Sequence, residues 1–261
     1  MRLGRLALGV AALAGAGVAS APAAACTPAP GYEVPTNLEL VRETETIVLG
    51  RVVGGTAASP SDPKGGSIDV RPLEALKGPL PPGDISLAGM SLPIAGEGIV
   101  SGYELSHPFE FERAHEQAYA GACIRTTFPL GTTAVFFLEQ GERGWQPAGG
   151  PFSRWAEDVP DAQAPWVQLV RVYAVAAGLP EDDRVPFLSD EREALMARRA
   201  EPLAQLMADD IARQVAEPGA AADSAAAGDT PFEDAFRDPA EESAVEASLR
   251  AMRQGAAEAG N

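Results

Sequence analysis

The chain reads as mainly β, a small barrel or sandwich with a short N-terminal helix, followed by an α-helical C-terminal extension. Three observations carry this reading. A capping-box sequence stands ahead of the first apolar run, short β-branched runs alternate with Pro/Gly/Ser turns as far as about residue 150, and beyond residue 189 apolar residues recur at helical spacing.

In Thr36-Asn37-Leu38-Glu39 the hydroxyl and the carboxylate three residues on can each take up a free backbone N–H, which predicts a short helix through about Glu43. TIVLGRVVGG, residues 46–55, is β-branched, closes on paired glycines and reads as a strand. ASPSDPKGGS is a turn, and Ile68 and Val70, with polar residues between them, open a second strand joined to the first by a hairpin-like loop. LKGPLPPGDISLAG supplies a proline-rich corner and a third strand around residues 84–88. PLGTTAVFFLEQGERGWQPAGG supplies a strand over residues 132–139, a turn at Gly141 and a short strand around Trp145.

Residues 164–177 carry Trp166, Val167, Val170, Tyr173 and Val175 at mixed spacing without a turn signal; they read as helix, with strand as the alternative. In SDEREALMARRAEPLAQLMADDIARQVAEPG, Ser189 or Asp190 is the expected cap and Leu203, Leu206, Met207, Ile211 and Val215 form an apolar stripe. Pro202 is expected to kink or split that helix. From Pro218 to about Thr230 the Ala, Gly, Asp and Ser composition buries too little apolar surface to offset ordering, and reads as a disordered linker. Asp238-Pro239-Ala240-Glu241 and Gly255 bracket a terminal helix over residues 239–254. Its stripe of Val245, Leu249 and Met252 is too slight to hold alone in water, so it is expected to order by docking on the body or a partner, with Phe232 and Phe236 as extra anchors.

The first residues read as an export signal: Arg2 and Arg5, an apolar core over residues 6–18, and the small residues Ala23-Ala24-Ala25. The plan is a signal peptide (1–25), a barrel (26–180), an amphipathic helical extension (181–217) and an acidic, alanine-rich tail (218–261). The protein is expected to be periplasmic or secreted. A lipid anchor on Cys26 calls for a branched aliphatic residue three positions ahead, where Ala23 stands, so a free mature N-terminus is favoured. No later segment has the apolar length of a transmembrane span. The chain holds 20 basic and 37 acidic residues, a formal charge of −17 that loss of two arginines with the signal would take to −19. Such a field repels polyanions and argues against nucleic acid and anionic membrane surfaces as partners.

A cysteine at the mature N-terminus, then ELVRETETIVLGRVV, IDVRPLEALKG and a second cysteine in GACIRTTFPLGTTAVFFLEQG, resembles the netrin-like module over roughly residues 26–150. Leu76-Lys77-Gly78 and the glycine ahead of Val135-Phe136-Phe137 are similar to its bacterial secreted relatives. The resemblance implies an OB-type barrel, closed or partly open, as in the tissue inhibitors of metalloproteinases. Gly78 would turn the corner after a strand, and Cys123 would tie the barrel to the N-terminal segment. In the animal inhibitors the N-terminal cysteine chelates the target's zinc through its amine and carbonyl, and the next threonine enters the substrate pocket; Cys26-Thr27 matches those two positions. Pro28 departs from the family, standing where a second cysteine stiffens the binding ridge, although Pro28 and Pro30 restore part of that stiffness by fixing φ. In an oxidising compartment the two cysteines are expected to form a Cys26–Cys123 disulfide, which competes with lipidation for the same sulfur.

Both histidines fall in HPFEFERAHEQAY, where His107 and His115 neighbour Glu110, Glu112 and Glu116. The H-E-x-x-H zinc signature fails, because no histidine follows His115-Glu116 at the required spacing, and the segment reads as a solvated loop between strands. No nucleophile elbow, phosphate loop or dinucleotide fingerprint occurs, so no catalytic residue, metal or cofactor is assigned. Lys77, one of two lysines with Lys64, reads as a strand-end residue in a turn. Trp145, Trp155 and Trp166 either line a ligand groove or form the core and the seam between barrel and helices. The leading expectation is a non-catalytic extracytoplasmic module that binds a protein. The alternatives are a metalloprotease inhibitor acting through Cys26, and an envelope enzyme using His107 or His115.

Overall fold

The computed structural model describes residues 29–59, 61–62, 65–93 and 105–216. The expected signal peptide, Cys26, Thr27, Pro28, Lys64 and the tail from residue 217, with its linker and 239–254 helix, lie outside the described residues. Helix α1, Asn37–Glu43, begins as its capping box requires: Thr36 Oγ1 accepts from the Glu39 N–H at 3.2 Å and Glu39 Oε2 from the Thr36 N–H at 2.9 Å.

Six strands follow: β1 (Thr46–Thr56), β2 (Ser67–Lys77), β3 (Ile85–Ala88), β4 (Thr133–Gly141), β5 (Gly144–Pro147) and β6 (Ala156–Asp158). All pair antiparallel in the order β3-β2-β1-β4-β5, with β6 also on β4, and the sheet curls into a half-barrel. Ala134 to Leu138 of β4 are completely buried. Successive strand side chains point to opposite faces, so such a run needs cover on both sides. On the inner face Phe136 packs against Phe128 and Trp155, with ring centroids 5.7 and 6.1 Å away; on the outer face Phe137 meets Trp166 at 6.1 Å. Gly50 belongs to the crowded inner face, where a Cβ would lie 2.5 Å from Val70 Cγ1 and 3.3 Å from Phe136.

The inner face carries one ion pair, buried to about 1% exposure at both side chains. Arg125 Nη2 donates to Asp158 Oδ1 and Oδ2 at 2.8 and 3.0 Å, Nη1 to the Ala156 carbonyl at 3.1 Å, and the guanidinium lies 4.3 Å from the Phe128 ring centroid. Ser106 completes the shell, its N–H donating to Asp158 Oδ2 and its hydroxyl accepting from the Asp158 N–H.

Three helices share the same core: α2 (Pro165–Ala177) packs on the outer face of the sheet, and α3 (Glu181–Ala197) and α4 (Pro202–Val215) pack on α2 and on each other. The helix alternative for residues 164–177 is the one found. The expected cap at Ser189 or Asp190 is corrected, since α3 starts eight residues earlier than Ser189 with Glu181, Asp182 and Asp183 in its first turn against the helix dipole. Ser189 lies inside the helix and its hydroxyl donates to the Val185 carbonyl at 2.9 Å. Pro202 splits the long apolar stretch and becomes the first residue of α4.

Two further readings change. The segment around His107 and His115 is packed rather than solvated: Phe109, Phe111, Ala114 and His115 are buried, and Phe111 stacks on Trp166 at 6.2 Å. Arg154 holds it there by donating to the Glu110 and Arg113 carbonyls at 2.5 and 2.8 Å while its guanidinium lies over the Trp166 ring. Lys77 is more than a strand-end residue. Its Nζ donates to the carbonyls of Val41, Arg42 and Thr44 at 2.7, 2.8 and 2.7 Å and so caps the C-terminus of α1. Desolvation holds its pKa below the ordinary lysine value, with Glu45 opposing. Gly78, at φ +74°, makes the tight corner beside it, where a Cβ would fall 2.5 Å from the Glu45 carbonyl oxygen. Lys77→Met is therefore expected to lower stability by about 1–2 kcal/mol, from three helix-end carbonyls losing a charged donor. Urea denaturation checks this, and a midpoint equal to wild type would remove the cap from the account.

Candidate functional site

The outer face of the sheet is left uncovered beyond the N-terminus of α2. Pairing of β1 with β2 runs Leu49↔Glu74 and then Gly50↔Pro72, so Leu73 has no partner and forms a bulge. The bulge lets Leu73 and Glu74 both line one groove, although neighbours in a regular strand point to opposite faces. Leu49 and Arg51 enter it from β1, Thr133 from β4, and Pro160, Asp161 and Ala162 from the loop ahead of α2. The groove has a volume of about 320 Å³. Leu49 is its buried floor and Leu73, at 48% exposure, its open wall.

The charges around it are unevenly matched. Glu74 is engaged by Arg171, whose Nη2 donates to both carboxylate oxygens at 2.9 Å and whose Nη1 donates to the Ala162 carbonyl at 2.9 Å. Asp161 Oδ1 accepts from the Gln163 N–H at 2.6 Å and shapes the turn into α2. Arg71, cross-strand neighbour of Arg51, is held by Asp84 through two bonds of 3.0 Å, and that contact keeps the Asp84 carboxyl below its ordinary pKa. Arg51 itself donates only through Nε, to Thr133 Oγ1 at 3.3 Å, and has no ion-pair partner among the described residues. An exposed arginine whose guanidinium has no ion-pair partner among the described residues, beside an apolar floor, is fitted to a carboxylate attached to an apolar group. The lining holds no histidine or cysteine.

The residues singled out from sequence fall elsewhere and are not brought together. Trp155 is fully buried in the inner core, donating Nε1–H to the Arg125 carbonyl at 3.2 Å. Trp166 is buried in the seam between sheet and α2, and Trp145 is half-buried on β5 opposite Gln140. His115 is buried with Nδ1 accepting from the Gln117 N–H, and burial lowers the His107 pKa, with Glu110 opposing. Glu110 caps its own turn by accepting from the Glu112 and Arg113 N–H groups; Glu112 pairs with Arg213 at 3.1 Å. Glu116 opens a 3₁₀ turn over Glu116–Tyr119. Among the described residues no group of three or more His, Cys, Asp or Glu side chains is placed to hold a metal, and no helix is long and apolar enough to cross a membrane. Cys123 adopts φ +59°, and its carbonyl accepts the Phe152 N–H at 2.8 Å. The inhibitor positions Cys26 and Thr27 lie outside the described residues.

Sequence reasoning passed over Arg51, Leu73 and the Pro160–Ala162 loop. Arg51 stood out only as the one charged residue inside TIVLGRVVGG, and the bulge that exposes Leu73 leaves no mark in IDVRPLEALKG. Comparison with family models, curated proteins and solved structures returns no match.

Proposed function

We propose that the protein is an exported, non-catalytic binding module whose barrel is of the netrin-like OB type, with Cys26 joined to Cys123, and that it takes a protein partner in the groove at Arg51 and Leu73. The observation that carries this reading is an arginine without an ion-pair partner among the described residues, set beside a half-exposed leucine and a buried apolar floor. Protein partners are met by such combinations, in which an apolar contact is framed by a directional charged one. The groove is open to solvent and its lining pairs no nucleophile with a base, which favours recognition over turnover.

A photo-crosslinking residue placed at Leu73, in cells that export the protein, is expected to capture one discrete partner band. The same residue at Leu80, which is 51% exposed on the corner after β2, is expected to capture none. Equal capture at both positions, or a catalytic turnover abolished by one side-chain change, contradicts the reading.

A further inference from the structure

We propose that the groove is also the docking site of this chain's own acidic-aromatic segment, Phe232-Glu233-Asp234-Ala235-Phe236, so that tail and partner compete for one surface. The inference rests on the reading of the groove as a binding surface and names its resident occupant. Charge complementarity is the first argument. Residues 217–261 hold ten acids against three arginines, and PFEDAF is where acids stand directly between aromatic residues. The groove offers the complement: the Arg51 guanidinium, which has no ion-pair partner among the described residues, next to Leu49, Leu73, Pro160 and Ala162. Two carboxylates also line the groove: Glu74 is offset by Arg171 in a bidentate pair, and Asp161 accepts the Gln163 N–H of its own loop, which leaves Arg51 as the lining cation without an ion-pair partner among the described residues.

Reach is the second argument. Helix α4 ends at Val215, and Phe232 follows Ala216 by sixteen residues. Extended, that length spans up to about 50 Å, against roughly 60 Å around half the circumference of a body about 40 Å wide, so most of the surface is within reach. Tethering sets the effective concentration near the millimolar range, at which a contact too weak for a free peptide fills its site.

The experiment uses the full chain alone, with a photo-crosslinking residue at Leu73, irradiated at dilute concentration and mapped by mass spectrometry of the monomeric product. The expected adduct joins position 73 to a peptide containing residues 230–237. Its yield is expected to fall roughly five-fold or more in Arg51→Glu and in Phe232→Ser/Phe236→Ser, as a contact built on charge and apolar burial requires. Adducts confined to other parts of the chain, a yield indifferent to both variants, or a dimeric adduct showing a second copy in the groove would each overturn the proposal. Capture of a foreign protein in cells with no tail adduct in the pure chain overturns it and leaves the partner reading standing; absence of both overturns the two together.

Discussion

Arg125→Met is expected to destabilise the protein by about 3–5 kcal/mol, because it leaves the Asp158 carboxylate buried without its cation. Asp158→Leu should cost a similar amount, since it strands the guanidinium among Phe128, Trp155 and the Ala156 carbonyl. The double variant removes both charges, so its loss should be smaller than the sum of the two by about 2–3 kcal/mol, with the unpaired Ser106 N–H accounting for part of what remains. Chemical denaturation of the three variants gives the cycle. Additive losses would mean that the two charges do not depend on each other, and the inner face would then owe its order to the aromatic cluster alone.

Asp210→Ala is expected to cost on the order of 3 kcal/mol, through a second buried polar centre. The Asp210 side chain, on α4, is completely buried and accepts from the Tyr173 hydroxyl at 2.5 Å, from Asn37 Nδ2 at 3.1 and 3.2 Å, and from Arg213 Nη2 at 3.0 Å. One carboxylate thereby joins α1, α2 and α4, and Gln214 adds a bond to the Leu38 N–H. Without it, the Tyr173 hydroxyl is left in the core with no partner. The same centre dictates an alkaline limit. Burial, then the Asp210 charge and its hydrogen bond, raise the Tyr173 pKa well above the ordinary tyrosine value, with Arg213 opposing. The folded chain therefore keeps this proton after the unfolded chain has lost it. The resulting stability is complete below about pH 10 and declines as pH rises beyond it. Unfolding midpoints measured from pH 9 to 11 should fall more steeply for wild type than for Tyr173→Phe; parallel curves would remove Tyr173 from the alkaline response.

The strands were legible where one chemical signal dominates. TAVFF in β4 announces a strand covered on both faces, and the paired glycines after β1 announce its end. Helix α2 was ambiguous for the same physical reason that β4 was clear. Trp166, Val167, Leu169, Val170, Tyr173 and Ala176 are all buried, so the helical period is obscured by apolar residues on several sides. Strand β6 was missed because Ala156-Glu157-Asp158 looks like solvent-facing sequence. Its acids are buried only because Arg125 and the His115 N–H, far away in the chain, meet them. The start of α3 was misplaced because Ser189 resembles a cap, whereas the true start is written in Pro180-Glu181-Asp182-Asp183. The groove could not be read at all, since it depends on a one-residue register shift and on a helix end that stops short of Arg51.

The claim that binding occurs at Arg51 and Leu73 is tested most directly by the affinity of the captured partner for purified wild type, Arg51→Glu and Leu73→Asp, with thermal midpoints recorded alongside. Both side chains are exposed, so the fold should tolerate either change. The expected result is a loss of roughly ten-fold or more in affinity for each variant at an unchanged midpoint, with the Arg51→Glu loss shrinking as salt is raised. Wild-type affinity in both variants, with both folded, would contradict the account and place the partner elsewhere on the molecule.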